Sequence, residues 1–472
     1  MTAHRSRRTR RTLAIATLLG LVLALSGGSS ALAAKKKTTK KKAAKTTVKK
    51  TTATTAKATA TTAAPSSGRS IPDHPVQGIT SSEIKVGFVL GTPTSTTADY
   101  KATYNALLAK YRDMGLLPAN GRDIKPVYFQ IQGAAATAEL TASLRQACVQ
   151  FATKDKVAFA MGHSNVYDTS ICVAKEFHVP FLVAAGIIPT DDDLKAADPF
   201  LFVTNMSSSR VLRNWPHWAK DQGFVGANSK IGVFNTDNPG YADDFSKNFR
   251  PQMSKLGFKI AAEGTFKDAS SIPTAVQRFK SAGVDTIFFG SGANIIAFSQ
   301  ELDKQNYKPD VLVADWDTSS VSASIPRDMP DGFRASGMTY YHRAEDGLSS
   351  NPPEPVQTKA CMDDIAKYSG RRLVPTSGGR PTADYAEWSQ MMHMCDMMKI
   401  LVEALNRAPR NLDTASLITA IEATKNIDHG QVSPISFSRT SHDGAQNFKT
   451  VAWDYNCDCW KHVSGFRAAY VS

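Results

Sequence analysis

No Asp or Glu occurs among the first 64 residues, although the 472-residue chain holds 42 of them. Those 64 residues contain five Arg and ten Lys of the 56 basic residues, so residues 65–472 carry 41 basic against 42 acidic side chains. The formal charge of +14 therefore belongs to one end of the chain. A nucleic-acid-binding reading drawn from whole-chain charge falls away. Long hydrophobic runs are scarce too. The apolar stretch Leu13–Leu25 is shorter than the ~20 residues that span a bilayer. It follows Arg5, Arg7, Arg8, Arg10 and Arg11 and precedes Ala31-Leu32-Ala33. That layout reads as a secretory signal peptide over residues 1–33, cleaved after Ala33, with an uncleaved signal anchor as the alternative. Thr9-Arg10-Arg11-Thr12-Leu13 leaves Sec and twin-arginine export both open. Cysteine is missing from Leu25–Ser30. The chain is thus expected to be exported, extracytoplasmic and not a lipoprotein. Large apolar side chains are missing from residues 35–64, which contain only Lys, Thr, Ala and Val48. Such a segment buries too little to offset chain entropy. Residues 34–79 are therefore expected to be a disordered tether, either holding the protein to an anionic envelope polymer or serving as a spacer.

Catalytic signatures are missing from the remainder. There is no Gly-x-Ser-x-Gly, no His-Glu-x-x-His and no Gly-x-x-x-x-Gly-Lys, so no enzyme activity and no cofactor are expected. Two metal readings have plainer alternatives. Met391-Met392-His393-Met394-Cys395-Asp396-Met397-Met398 offers soft ligands, but consecutive helical residues point all round the axis and read as core. Cys457-Asp458-Cys459 with His462 could ligate a metal, whereas export favours a disulfide. The triplet Asp191-Asp192-Asp193 suits a helix start, where acids complement the dipole.

What is present is an alternation of short apolar runs with amphipathic stretches. Strands are expected at Ile84–Leu90, Ile124–Ile131, Val157–Met161 and Val179–Ala184, with helices at Thr97–Asp113, Thr137–Thr153 and Asp168–Phe177. The series restarts with strands at Lys230–Asn235, Lys259–Phe266, Thr286–Gly290 and Val311–Ala314, and helices at Tyr241–Leu256, Ile272–Ala282 and Ala293–Gln305. Two such series imply two α/β lobes with parallel sheets, and about 400 residues are too many for one core. The strand and polar stretch Phe200–Ser209 would let the chain cross between them. Helices at Thr382–Arg407 and Thr414–Thr424 and a hairpin over Ile435–Val463 are too few for a third domain. Lobe one is therefore expected at 80–205 and 342–437, and lobe two at 206–341 and 438–472. Tyr340-Tyr341-His342-Arg343 would either line the cleft or pack the hinge.

In parallel sheets, ligands bind beyond the carboxyl ends of strands, where helix N-termini favour anions. The loops there are Gly91–Thr97, Gly162–Asp168, Ala184–Thr190, Asn235–Tyr241, Gly290–Asn294 and Asp315–Ser320. Their Gly, Ser, Thr, Asn and Asp content also fits ordinary turns.

Several segments, in order, resemble a known family. They are Ile84-Lys85-Val86-Gly87-Phe88, Met161-Gly162-His163-Ser164-Asn165, Val179-Pro180-Phe181-Leu182-Val183-Ala184-Ala185, Asp237-Asn238-Pro239-Gly240-Tyr241, Gly283–Gly290 and Asp331-Gly332-Phe333. Together they look like the type I periplasmic binding proteins, in particular the leucine/isoleucine/valine-binding group that serves ABC importers. The resemblance implies two lobes joined by three crossovers, closing on a small molecule such as an amino acid, carboxylate or amide. A membrane permease would be the partner, and the protein is expected to be monomeric. It also implies site residues. Ser164 and Asn165 would bind a ligand carboxylate. The backbone of Ala184, Ala185 and Gly186 would hold amino and carboxylate groups. Tyr241, with Asp237 at the head of its motif, would form an aromatic wall, and Ser291 to Asn294 a second-lobe contact. Trp316 or Asp317 would occupy the position of the family's usual acid. The sequence departs there, with Trp on the position and Asp one residue off. The usual Thr after the small pair is absent as well, since Gly186 and Ile187 follow. Cys148 and Cys172 fall where amino-acid-binding members carry a disulfide. Cys361–Cys395, between two helices, and the tight pair Cys457–Cys459 complete the expected bridges. A sensor or receptor partner of the same fold is the alternative function, and a secreted hydrolase a disfavoured second.

Overall fold

The apolar runs of the first series assemble into a sheet. Ile84, Val86, Phe88, Val89 and Leu90 of β1 (Glu83–Leu90) are all buried, as expected of a strand covered on both faces. Gly87 has a packing reason: a Cβ there would stand 2.8 Å from the Phe151 ring. The structure is a computed structural model, and it describes residues 71–91, 98–133, 138–163, 167–184, 189–237, 239–290, 295–314, 329–341, 356–374, 376–377, 380–381, 384–430, 432–454 and 459–471. The expected signal peptide and most of the tether lie outside these residues.

Sheet one contains β1, β2 (Asp123–Gln130), β3 (Phe159–His163), β4 (Phe181–Ala184) and β5 (Leu201–Val203), in the order β2-β1-β3-β4-β5. All four pairings are parallel. Between the strands run α1 (Tyr100–Asp113), α2 (Ala138–Val149), α3 (Tyr167–Ile171) and α4 (Asp191–Ala196). Helix α1 begins at Tyr100, later than the expected Thr97, because the Asp99 side chain caps it by accepting from the Ala102 N–H at 2.8 Å. The acidic triplet opens α4, where Thr190 and Asp193 form a capping box.

The second series begins with α5 (Ser208–Asp221), a helix that starts at the end of the expected crossover Phe200–Ser209 and is otherwise unanticipated. It contains Pro216 and buries Trp215 and Trp218. Then follow β6 (Ile231–Thr236), α6 (Pro239–Asp244), α7 (Arg250–Lys255), β7 (Ile260–Phe266), α8 (Ser271–Ser281), β8 (Thr286–Phe289), α9 (Ile295–Lys304) and β9 (Asp310–Ala314). Strand β10 (Arg334–Thr339), also not anticipated, pairs parallel to β9. The C-terminal part supplies α10 (Val356–Ser369), the small ladder β11 (Thr376–Ser377) and β12 (Arg380–Pro381), α11 (Tyr385–Arg407), α12 (Thr414–Glu422), β13 (Asn447–Asp454), β14 (Cys459–His462) and β15 (Arg467–Ala468).

Sheet two runs β14-β13-β10-β9-β8-β6-β7, with β15 on β13. It is parallel from β7 to β10 and turns antiparallel at β13 and β14, so this lobe's sheet is mixed. The hairpin is shorter than the expected Ile435–Val463. Residues 435–445 make isolated bridges with neighbouring segments, including Val203 with Asp443. The C-terminal pieces divide between the sheets. Helix α11 packs on β3, β4, α1, α10 and α12. Met391, Met392, Met394, Met397 and Met398 of α11 are buried, as the core reading holds. Strand β13 instead docks on β10 and on α5, where Trp218 Nε1 donates to Thr450 Oγ1 at 2.9 Å. Two bridges form as expected, Cys148–Cys172 and Cys361–Cys395. The expected Cys457–Cys459 bridge lies outside the described residues. No helix among the described residues is long and apolar enough to cross a membrane.

Candidate functional site

The carboxyl ends of β3 and β4 are level, since His163 pairs with Ala184. Three of the expected site residues are described. Ala184 is fully buried as the last residue of β4. Asp237 is exposed just after β6, and its N–H donates to the Phe266 carbonyl at 3.1 Å. Tyr241 lies in α6, half-buried against the larger core. Ser164, Asn165, Ala185, Gly186, Ser291, Asn294, Trp316 and Asp317 lie outside the described residues.

What the structure adds is how the elements flanking these loops are tied together, with α4 at the centre. Tyr167, which follows residues 164–166, donates its hydroxyl to Asp193 Oδ2 at 2.7 Å. Thr190, which follows residues 185–188, donates N–H and Oγ1 to the same oxygen at 2.9 and 2.7 Å. Asp191 accepts from Ser207 Oγ and from Arg213 Nη1, each at 2.6 Å. Lys247, six residues beyond Tyr241, reaches Asp192 at 3.0 Å. So the helix after β4 of sheet one touches α5 and the helix after β6 of sheet two. The helices that follow the strand ends of the two sheets are thus tied to one another through α4. The Asp triplet, expected as a solvated helix start, also makes contacts: Asp191 and Asp192 reach across to α5 and the helix after β6, and Asp193 holds Tyr167 and Thr190.

Asp244, one helical turn past Tyr241, is buried. It accepts from Ser208 Oγ at 2.6 Å, Ser209 Oγ at 2.5 Å and Asn248 Nδ2 at 2.7 Å. Burial holds its carboxyl above the usual carboxylate range, against the opposing pull of the two serine hydrogen bonds. His163, next to Ser164, is fully buried; its Nδ1 lies 3.4 Å from the Tyr104 hydroxyl and its ring stands edge-on to Tyr100. Its Nε2 has no hydrogen-bond partner, nor has Nδ1 of the buried His393 on α11. Burial pushes both imidazoles down to about 3, and for His163 the neighbouring His393 adds to it. These groups escaped the sequence reading because polar residues at such positions look like any others. Only the motif placing His163 beside Ser164 hinted at one of them.

The crossovers meet at buried polar contacts. Asn205 Nδ2 donates to the hydroxyls of Tyr340 and Tyr341 at 3.1 and 3.2 Å. The Tyr pair is thus buried where two crossover segments meet, while His342 and Arg343 lie outside the described residues. Arg210 Nη1 pairs with Asp443 at 2.8 Å, both side chains nearly buried.

A family model described as periplasmic binding protein matches residues 83–458. No curated protein sequence matches the chain. Solved structures share the fold. A leucine-binding protein from Thermotoga maritima MSB8 is 14% identical, with a TM-score of 0.57 over 82% of this chain and 99% of that one. A branched-chain amino acid ABC transporter protein from Thermus thermophilus with bound valine is 15% identical, with a TM-score of 0.56 over 82% and 98%. A solute-binding protein of an ABC transporter from Rhodopseudomonas palustris BisB5, in complex with 3,4-dihydroxybenzoic acid, is 18% identical, with a TM-score of 0.54 over 83% and 98%.

Proposed function

The chain belongs to the periplasmic binding proteins, and from that premise we propose that it is an exported solute-binding protein. It closes on a small carboxylate or amide, an amino acid among them, and delivers it to the permease of an ABC importer without catalysing a reaction. The observation that carries this reading is the family match over residues 83–458. The contacts of α4 with α5 and with the helix after β6 support it, because they tie together helices that follow strand ends of both sheets. Residues 80–205 with 342–437 would form one lobe, and 206–341 with 438–472 the other. Rotation about the crossovers at Asn205, Tyr340–Tyr341 and Asp443 would open and close them. Ser164, Asn165, the 184–186 backbone, Asp237, Tyr241, Ser291, Asn294, Trp316 and Asp317 would line the cleft. With Trp316 in place of the usual acid, recognition would rest on the ligand's carboxylate more than on its ammonium. The Lys-rich segment would hold the monomeric protein near an anionic envelope polymer, through charge that salt screens.

The test is a thermal-shift screen with amino acids, aromatic acids and small amides. One class should raise the melting temperature, the stabilisation growing as the logarithm of one plus its concentration over its Kd. Tyr241→Ala and Asn165→Ala should then weaken that ligand about tenfold or more, about 1.4 kcal/mol, while the ligand-free protein melts as before. If no class stabilises the protein, or both variants bind as the parent does, the reading fails.

A further inference from the structure

Beside the crossovers lies a cavity of about 1010 Å³; among the described residues, none of those lining it comes from the strand-end loops named above. Its walls come from α4, α5, the 439–447 crossover and the 468–469 strand, so both sheets contribute. Its size is at the upper end of the ~300–1,000 Å³ usual for small-molecule pockets and far exceeds an inorganic anion.

The charges in the wall are unevenly engaged. Asp191 is already held by Ser207 and Arg213. Asp443 accepts from the Ser207 N–H at 3.1 Å, from Arg210 at 2.8 Å and from Ser441 Oγ at 2.8 Å. Donors remain. Arg213 is spent only through Nη1, on Asp191 and on Asn248 Oδ1 at 2.9 Å. Its side chain is 17% exposed, its Nε is buried with no acceptor, and its Nη2 makes no hydrogen bond. The Nε of the nearly buried Arg210 is likewise without an acceptor. Lys195 is exposed on α4, and Asn447 lies at the head of β13; among the described residues no ion pair or hydrogen bond engages either side chain. A guanidinium stays charged at any physiological pH. Charge-assisted hydrogen bonds to an oxyanion are about twice as strong as neutral ones.

We propose that this side cavity is a second ligand site, built for a small hydroxylated organic polycarboxylate. Arg213 and Lys195 meet its carboxylates and Asn447 its hydroxyl. The site is separate from the cleft between the strand ends, and it is complete only while α4 stands against α5.

Citrate is the probe, with tricarballylate as its hydroxyl-free counterpart. Calorimetric titration of the full chain at constant ionic strength should show citrate binding more tightly than tricarballylate. Lys195→Glu and Arg213→Gln should each weaken citrate about tenfold or more, while Tyr241→Ala, a cleft variant, leaves it unchanged. The Lys-rich segment is common to all these proteins, so its own affinity for citrate cancels in the comparison. Unaltered binding by both charge variants overturns the proposal. So does a loss in Tyr241→Ala equal to theirs, which would put citrate in the cleft. Equal affinity for tricarballylate removes the role of Asn447. Should Arg213→Gln fail to fold for want of the Asp191 pair, Lys195→Glu on the exposed face of α4 decides alone.

Discussion

Sheet one and sheet two are completed from the same C-terminal stretch, but with different material. Sheet one has its five strands by Val203 and then receives α11, which covers it with buried methionines, while α10 packs on α1 and α12 on α11. Sheet two receives strands instead, β13 and β14, which turn a parallel sheet into a mixed one. Among the described residues, both disulfides and the three histidines whose pKa burial depresses sit on the sheet-one side. The core of sheet two rests on aromatic packing: Phe288 lies 5.1 Å from the Trp215 ring and 5.0 Å from that of Phe249. Among the described residues, one half is therefore covalently stapled and holds the buried histidines. The other depends on side-chain packing and on an added sheet edge.

The largest expected effect tests this contrast with acid. His163 and His393 titrate near 3 in the folded protein against an ordinary 6.5. Between those values the unfolded chain binds more protons. Stability is therefore full above pH 6.5 and drains as pH falls toward 3, by roughly 1 kcal/mol per pH unit for each histidine. Urea midpoints measured from pH 7 to pH 4 should fall steeply, and the double variant His163→Phe, His393→Phe should flatten the curve. Parallel curves for parent and variant would place the acid sensitivity elsewhere. The next effect belongs to sheet two. Phe288→Ala should cost about 3–5 kcal/mol in denaturant unfolding, since the cavity it leaves is walled by two aromatic rings. A loss below about 1 kcal/mol would mean the aromatic cluster collapses freely. Slightly smaller is the loss of the Cys361–Cys395 bridge, whose cysteines are 34 residues apart. Changing both to Ala should cost about 3–4 kcal/mol through the freed loop, measured against the oxidised parent. An unchanged midpoint would show that α10 and α11 hold together through packing alone.

The series of strands was legible because both faces of each central strand are covered. Runs such as Val86–Leu90 and Ile287–Phe289 then read as unbroken apolar stretches. Helix α5 was not. Its start Ser207-Ser208-Ser209 and its internal Pro216 look like a loop, and only burial of Trp215 and Trp218 against sheet two makes the helix worth forming. Strand β10 was missed for a similar reason, because Arg334–Thr339 is mostly small or polar and owes its pairing to β9 and β13. Of the candidate site, the sequence pointed to loops. It could not indicate that Asp191, Asp192 and Asp193 would be divided among Arg213, Lys247 and Tyr167.

By itself the sequence determined the order and type of most elements and the cationic segment, because periodicity and composition are local properties; the Cys148–Cys172 pairing came from the family resemblance instead. Only the tertiary structure decided which sheet each C-terminal piece completes and which polar groups are buried without partners. It also decided how α4 joins the two halves. Those outcomes depend on contacts between residues hundreds of positions apart, such as Arg210 with Asp443, and no local pattern carries the cost of closing such loops or the burial that offsets it.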